Sequence, residues 1–163
     1  MKVVRALGML AVLFVPSVML AQTATQPQSG SGIDSDIALL RSDVQTQKTD
    51  VIAHTMQFTD AQSQAFWPLY REYASKQQVI GDQRVSLIKD YADSYDTLDD
   101  AKADDLAGRM IKFDEARSKL KADYYPKFKK AIGAKQAAKF LQVDNRLTLI
   151  VDLQIASTIP IIR

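Results

Sequence analysis

The sequence has no cysteine, one histidine, six glycines and five prolines in 163 residues. Without cysteine the chain can form neither disulfide bonds nor thiolate metal sites, and His54 alone cannot supply a cluster of metal ligands. No glycine-rich phosphate loop is present, and no spacing singles out a nucleophile with its base. The sequence therefore predicts a protein that is not an enzyme, with no catalytic residue, no metal ligand and no cofactor.

The first 21 residues have the pattern of an export signal. Lys2 and Arg5 precede an apolar stretch over residues 6–20, which ends at the small residue Ala21. The stretch is short for a membrane-spanning helix, so we predict a signal peptide over residues 1–21 with cleavage near Ala21. A periplasmic protein without stable membrane insertion follows from this prediction. The alternative is an uncleaved N-terminal anchor.

The chain that remains after cleavage has no excess charge of either sign. The full sequence has 21 basic and 19 acidic residues, and removing Lys2 and Arg5 leaves 19 basic residues. Nucleic-acid binding is driven largely by excess positive charge, so no nucleic-acid partner is predicted.

Apolar residues recur at three- and four-residue steps through most of the remaining chain, the spacing of one face of a helix. Residues 22–34 lack this spacing and are predicted to be a disordered leader, which leaves a helical domain over residues 35–163. The four predicted stripes consist of Ile37, Leu40, Val44 and Val51; of Phe66, Tyr70, Tyr73, Ile80, Leu87, Tyr91 and Tyr95; of Leu106, Met110, Phe113, Leu120, Tyr124, Phe128 and Ala131; and of Phe140, Val143, Leu147 and Ile150.

The two middle stripes are long and meet at residues 97–99. This arrangement predicts an all-α fold built on a long antiparallel helical hairpin, with a shorter helix on each side. Polar residues interrupt the long stripes at Gln77, Arg84 and Arg117. Because a thin hairpin cannot bury both of its faces, we predict an extended, curved homodimer.

The C-terminal segment is the least regular part of the pattern. Residues 147–155 are apolar nearly all round and rich in β-branched side chains, so both a helix and a strand fit them. We favour a helix because no other segment is a candidate partner strand. In either conformation the apolar surface must be covered by the rest of the chain or by another chain.

Three segments have the arrangement of a helix start. In the first, the Thr59 hydroxyl can accept from the backbone N–H of Gln62 while the Gln62 side chain accepts from the N–H of Thr59, which is a full capping box. The other two segments start at Asp99 and at Gly133, each with a polar residue three positions later. The residues with predicted capping roles are Thr59, Gln62, Asp99, Gly133 and Gln136.

The segment Phe58-Thr59-x-x-Gln62 resembles the L-T-x-x-Q motif of the Spy/CpxP family of small exported helical proteins, with Phe in place of Leu. The segment Ile132-Gly133-x-x-Gln136 is similar to a second copy without the Thr, and a Phe follows four residues later in both copies. The resemblance spans residues 51–143. It implies a cradle-shaped dimer of helical hairpins that binds unfolded or damaged envelope proteins without ATP. Some members of the family damp an envelope stress sensor or bind metal.

A run of basic residues over positions 117–139 is interleaved with aromatic residues, and only Asp123 opposes its charge. Charge attracts a partner and apolar area then holds it loosely, so such a surface suits unfolded polypeptide. A solvated helix face over an ordinary core fits the same pattern equally well. The predicted client- or partner-binding residues are Arg117, Lys121, Tyr124, Tyr125, Lys127, Phe128, Lys130, Lys135 and Lys139, with Trp67 from the second helix.

These observations together predict a periplasmic, ATP-independent holding chaperone or envelope-stress adaptor. Its predicted partners are unfolded or envelope proteins and a second copy of the chain. The alternative function is a regulatory protein that binds one sensor kinase or one envelope partner. A metal-binding stress protein is a third possibility, against which the single His54 argues.

Overall fold

The computed structural model describes residues 31–162, with side chains from residue 44 onward. Within this range the chain forms four α-helices and no strand, so the fold is all-α as predicted. The predicted signal peptide and residues 22–30 of the predicted leader lie outside the described residues. The helices are α1 (Ser31–Met56), α2 (Asp60–Ser94), α3 (Asp100–Ile132) and α4 (Ala134–Thr158), and a 3-10 turn (Tyr95–Thr97) follows α2.

Helix α1 differs from its prediction in its start and in its buried face. Residues 31–34 are helical rather than part of a leader, so α1 extends toward the N-terminus beyond Ser35, the residue predicted as its N-cap. The prediction placed Val44 and Val51 on the inner face, but both are exposed, whereas Ile52 and Met56 are fully buried. Ile52 and Met56 lie four residues apart, on one face of the last two turns of α1.

Helices α2 and α3 form the predicted antiparallel hairpin. The start of α2 contacts the end of α3, because the Gln62 Nε2 donates to the Ile132 carbonyl at 3.3 Å. Near the opposite end Arg109 of α3 forms an ion pair with Asp90 of α2.

Helix α4 returns along the hairpin, antiparallel to α3 and parallel to α2. The Lys121 Nζ of α3 donates to the Asn145 Oδ1 at 2.6 Å, and the Tyr91 hydroxyl of α2 donates to the Pro160 carbonyl at 2.8 Å. The segment over residues 147–155 is helical, as we favoured. Because α4 covers one face of the hairpin within one chain, a second copy is not required to cover that face. The homodimer and its curvature stay predictions.

Aromatic side chains make up the centre of the core. The Phe66 ring centroid lies 5.4 Å from that of Phe128 and 5.0 Å from that of Phe140, which joins α2, α3 and α4. Two predicted stripe residues, Met110 and Ile150, are exposed instead. In α3 the buried Leu106 and Phe113 lie two turns apart and leave Met110 on the flank. The main buried cluster consists of Ile52, Met56, Phe66, Tyr70, Tyr73, Leu120, Tyr124, Phe128, Ile132, Ala137 and Phe140.

The predicted capping box at the start of α2 is confirmed. The Thr59 N–H donates to the Gln62 Oε1 at 3.1 Å, and the Gln62 N–H donates to the Thr59 Oγ1 at 3.3 Å. The predicted cap at Asp99 is confirmed as well, since its Oδ1 accepts from the Lys102 N–H at 2.8 Å. Because the Gln62 Nε2 also reaches α3, the capping box fixes the position of one helix end against another.

The predicted helix start at Gly133 is confirmed, since Gly133 is the N-cap of α4, but no side-chain capping bond to Gln136 forms. Gly133 does end α3, with a φ of 83° that glycine adopts without strain. Its N–H, however, donates to the Lys129 carbonyl at 3.0 Å and is not available to a side chain of α4. Among the described residues the buried Oε1 of Gln136 has no hydrogen-bond partner.

We expect Thr59→Ala to lower the free energy of unfolding by about 1 kcal/mol, since one N-cap acceptor is lost. Gln62→Ala is expected to cost more, about 2 kcal/mol, because it also removes the bond to the Ile132 carbonyl. Urea unfolding followed by far-UV circular dichroism measures both changes, with Thr59→Ser as the control that keeps the hydroxyl. An equal loss for Thr59→Ala and Gln62→Ala would show that the bond between the helices contributes nothing.

Candidate functional site

Two of the predicted client-binding aromatics belong to the core, so their assignment is wrong. Phe128 is fully buried and Tyr124 nearly so, and their ring centroids lie 6.2 Å apart. Both lie on the same face of α3 as buried Leu120, at four-residue steps, and this face packs against α2 and α4. The Tyr124 hydroxyl reaches the surface side of α2, where it donates to Glu72 and lowers the pKa of that carboxyl.

Three of the predicted basic residues are occupied by contacts within the protein. The Arg117 guanidinium donates to an oxygen of Asp152 at 3.0 Å, and Lys121 donates to Asn145. The Lys139 Nζ donates to the Thr55 carbonyl at 2.6 Å and so joins α4 to α1. These cations hold helices together, so they are poor candidates for capturing a client.

The remaining predicted residues lie at the surface around the junction of α3 and α4. Lys130 and Lys135 are exposed, as is Lys127, whose Nζ lies 4.2 Å from the Tyr124 ring centroid. Tyr125 is half-buried. The structure thus keeps part of the predicted basic surface, and we call Lys127, Lys129, Lys130 and Lys135 the lysine end.

Trp67 is half-buried rather than free at the surface. Its Nε1 donates to the Ser63 Oγ at 3.0 Å, and its ring contacts Phe66 and Tyr70 edge to face. One side of the indole is therefore fixed in the core, and it is the only tryptophan of the chain.

A buried carboxylate that no sequence pattern predicted lies where α1, α2 and α4 meet. Asp144 is completely buried, and its Oδ2 accepts from the Tyr73 hydroxyl at 2.9 Å. The Gln77 Nε2 lies 3.4 Å from the same oxygen, and the Lys48 Nζ of α1 lies 3.5 Å from the Oδ1. A buried charge is tolerated only with such partners, so Asp144 requires all three.

The surroundings of Asp144 keep its tyrosine neighbours protonated. Burial, and then the negative charge of Asp144, raise the pKa of Tyr73 far above its usual value. Burial also raises the pKa of Tyr70, whose hydroxyl accepts from the Gln45 Nε2 at 3.2 Å. Tyr73 is therefore a neutral donor to Asp144 across the physiological pH range.

A second polar layer lies two turns further along α4. Asp152 accepts from Arg84 of α2 and from Arg117 of α3, so that one carboxylate joins three helices. Both guanidiniums lie over the Phe113 ring, at 5.5 and 5.1 Å from its centroid. Gln77, Arg84 and Arg117 are the three polar interruptions of the predicted stripes, and each contacts one of these two aspartates.

The outer face of α4 is apolar, in contrast to the polar layers around Asp144 and Asp152 on its inner face. Leu149, Ile150 and Leu153 are 60%, 56% and 71% exposed and lie next to one another on the helix. From residue 136 to residue 158 Arg146 is the only exposed charged residue of α4. The exposed residues of α3 are, by contrast, mostly charged. Apolar exposure with few charges is typical of the core of a binding surface, and we call these three residues the outer apolar strip.

Other kinds of site have no counterpart in the described part of the chain. No group of three or more His, Asp or Glu side chains between residues 44 and 162 is placed to hold a metal ion. None of the helices described is long and apolar enough to cross a bilayer. Comparison with protein-family models, with curated proteins and with solved structures finds no match.

Proposed function

We propose that the protein is an exported, ATP-independent holding chaperone that binds unfolded envelope polypeptide on the outer apolar strip of α4. The observation that carries the proposal is this strip: three exposed aliphatic side chains on a folded helix that is otherwise poor in exposed charge. A single helix face has no deep pocket to fix a side chain, so it favours loose contact with many apolar sequences. The resemblance to the Spy/CpxP motif supports the same function.

The lysine end supplies the attraction that brings a client to the strip. Lys135 and Leu149 are 14 residues apart on one helix, which corresponds to roughly 21 Å. An extended polypeptide of six or seven residues spans this distance. A client with an acidic and an apolar segment can therefore contact both regions of α4 at once. Capture by charge followed by loose apolar holding gives fast, reversible binding.

A second candidate function is regulatory binding to one envelope partner, and the distribution of charge favours it. Aspartates concentrate around the turn between α2 and α3, at the end of α3 opposite the lysine end. Such separation of charge suits an oriented complex with a partner of complementary charge. Recovery of a single partner in a pull-down from envelope extract, without general holding activity, would favour this candidate.

We expect Leu149→Ser/Leu153→Ser to reduce suppression of client aggregation by at least fivefold while leaving the stability within about 0.5 kcal/mol. Light scattering from several unrelated denatured clients, diluted without ATP at low and high salt, measures the effect. Val79→Ser/Ile111→Ser is the matched control, because these residues of α2 and α3 are each 60% exposed.

Three outcomes would contradict the proposal in different ways. Failure of the unmodified protein to suppress aggregation of any client would remove the holding function. Equal losses in the α4 variant and in the control variant would remove the assignment of the strip. A change from dimer to monomer in Leu149→Ser/Leu153→Ser, measured by sedimentation, would assign the strip to a contact between two copies.

A further inference from the structure

Residues 45–56 of α1 cover the seam between α2 and α4. Their side chains have partners on both helices, since the Gln45 Nε2 donates to Tyr70 of α2 and Lys48 reaches Asp144 of α4. Their backbone is held at one further point, where the Lys139 Nζ donates to the Thr55 carbonyl. Residues 45–56 of α1 therefore occupy a site that both α2 and α4 build.

The seam combines apolar rings with a single buried charge. Phe66, Tyr70, Tyr73 and Phe140 contribute rings whose centroids lie within 6.0 Å of at least one other member, and Asp144 supplies the carboxylate. Helix α1 matches this surface with Lys48 opposite the carboxylate and with Ile52 and Met56 in the apolar cluster. The matching side chains occur every four residues, which is one face of a helix.

Few of the described side chains of α1 are buried. Only Ile52 and Met56 are buried among its described side chains, and the two bonds of Lys48 are long, at 3.5 Å each. The connection to α2 contains Gln57 with a φ of 50°, a left-handed conformation that a non-glycine residue adopts at a cost. A segment with few buried contacts and a strained connection can open locally at a free energy lower than that of global unfolding.

We infer that residues 45–56 act as an internal substitute for a client, and that the seam binds an amphipathic helical segment of another polypeptide when α1 moves away. The segment must present a lysine or arginine followed by apolar residues four and eight positions later. Asp144 selects the cation, because a buried carboxylate that loses Lys48 needs a new positive partner. This inference rests on the proposed function and gives it a second, masked site with a defined sequence preference.

The masking has a measurable consequence for affinity. A tethered helix competes with any free client at a high effective concentration, so the unmodified protein binds through the seam only weakly. Loosening α1 removes that competition and raises the affinity without any change in the seam itself. Clients that bind in the seam thus respond to changes in α1, whereas clients held on the outer apolar strip do not.

The test uses a synthetic peptide of residues 44–57 as the client and the fluorescence of Trp67 as the readout. We expect Ile52→Ser/Met56→Ser in the full chain to bind the peptide at least tenfold more tightly than the unmodified protein. A peptide with glutamate in place of Lys48 is expected to bind at least tenfold more weakly than the original peptide. Val44→Ser/Val51→Ser is the matched control, because both valines are exposed on α1, and it should leave the affinity unchanged.

Hydrogen exchange on the unmodified protein gives a second measurement that does not depend on the variants folding. Saturating peptide should speed exchange of the amides of residues 45–56 and leave those of residues 66–73 and 137–144 protected. Unchanged protection of residues 45–56 with bound peptide would overturn the inference, as would equal binding of the two peptides. Exchange of α1 between two copies, seen as a peptide-independent dimer, would overturn it too. Suppression of aggregation by the unmodified protein alongside any of these results would leave the proposed function intact.

Discussion

Asp144→Ala is expected to lower the free energy of unfolding by about 3 kcal/mol, a large effect for a polar residue. The substitution leaves the buried Tyr73 hydroxyl without its acceptor, and it leaves a void between α2 and α4. The Gln77 Nε2 loses its contact with Asp144 but keeps its hydrogen bond to the Tyr73 hydroxyl at 2.9 Å. Each unsatisfied buried group costs on the order of 1–3 kcal/mol, while Lys48 can turn to solvent. Urea unfolding monitored by far-UV circular dichroism gives the change directly.

We expect the effects of substitutions at Asp144 and at its partners on the free energy of unfolding to depend on one another. Lys48→Met removes the only cation near Asp144 among the described residues and is expected to cost about 2 kcal/mol. In Lys48→Met/Tyr73→Phe/Asp144→Leu the two buried members of the group and Lys48 become apolar, while the half-buried Gln77 amide can turn to solvent. We therefore expect most of the stability to return. The control is Asp123→Ala, which breaks the exposed pair with Lys119 and should cost less than about 1 kcal/mol. A triple variant less stable than Asp144→Ala would contradict this account.

Local patterns in the sequence predicted the helices and their starts. Thr59 with Gln62, and Asp99, act on backbone groups within one turn, so the residues involved are visible in a short window of sequence. Gly133 with Gln136 has the same spacing but makes no capping box, because the N–H of Gly133 is already bonded to the end of α3. That bond depends on how α3 ends, which the spacing of the motif does not encode.

The burial of Asp144 could not be predicted from a local sequence pattern. Asp144 lies four residues after Phe140 and three before Leu147, on the inner face of α4, where a charge is unfavourable by itself. It becomes acceptable through Lys48, Tyr73 and Gln77, which come from two other helices. The interruptions of the stripes at Gln77, Arg84 and Arg117 were a usable signal. They showed where polar partners were needed without showing that α4 would supply them.

In the basic and aromatic stretch of α3, the same residues fitted two predictions that exclude each other. Tyr124 and Phe128 fitted both the apolar stripe and the predicted client surface, and a residue cannot serve both when it is buried. Tyr124 and Phe128 belong to the apolar stripe, because the face of α3 on which they lie packs against α2 and α4. The lysines between them point elsewhere and keep part of the predicted surface. Helix α4 has two different faces, with the carboxylates of Asp144 and Asp152 on the inner face and the outer apolar strip on the other.

Phe128→Ala is expected to cost about 4 kcal/mol of unfolding free energy. The Phe128 ring is fully buried, and its centroid lies 4.6 Å from that of Phe140 and 5.6 Å from that of Tyr73. Removing it leaves a cavity where three helices meet, and the surrounding rings are too rigid to fill it. Phe128→Leu keeps most of the volume and should cost about 1.5 kcal/mol or less.

The comparison with Tyr125→Ala separates a core role of Phe128 from the binding role that the sequence suggested. Tyr125 is the half-buried neighbour, so its loss should cost clearly less than that of Phe128. Denaturant unfolding and the aggregation assay are measured on the same preparations. If Phe128→Ala keeps its stability but loses holding activity, the side chain faces a client and is not packed between α2, α3 and α4. If stability falls as expected while Phe128→Leu holds clients normally, Phe128 acts on function only through the fold.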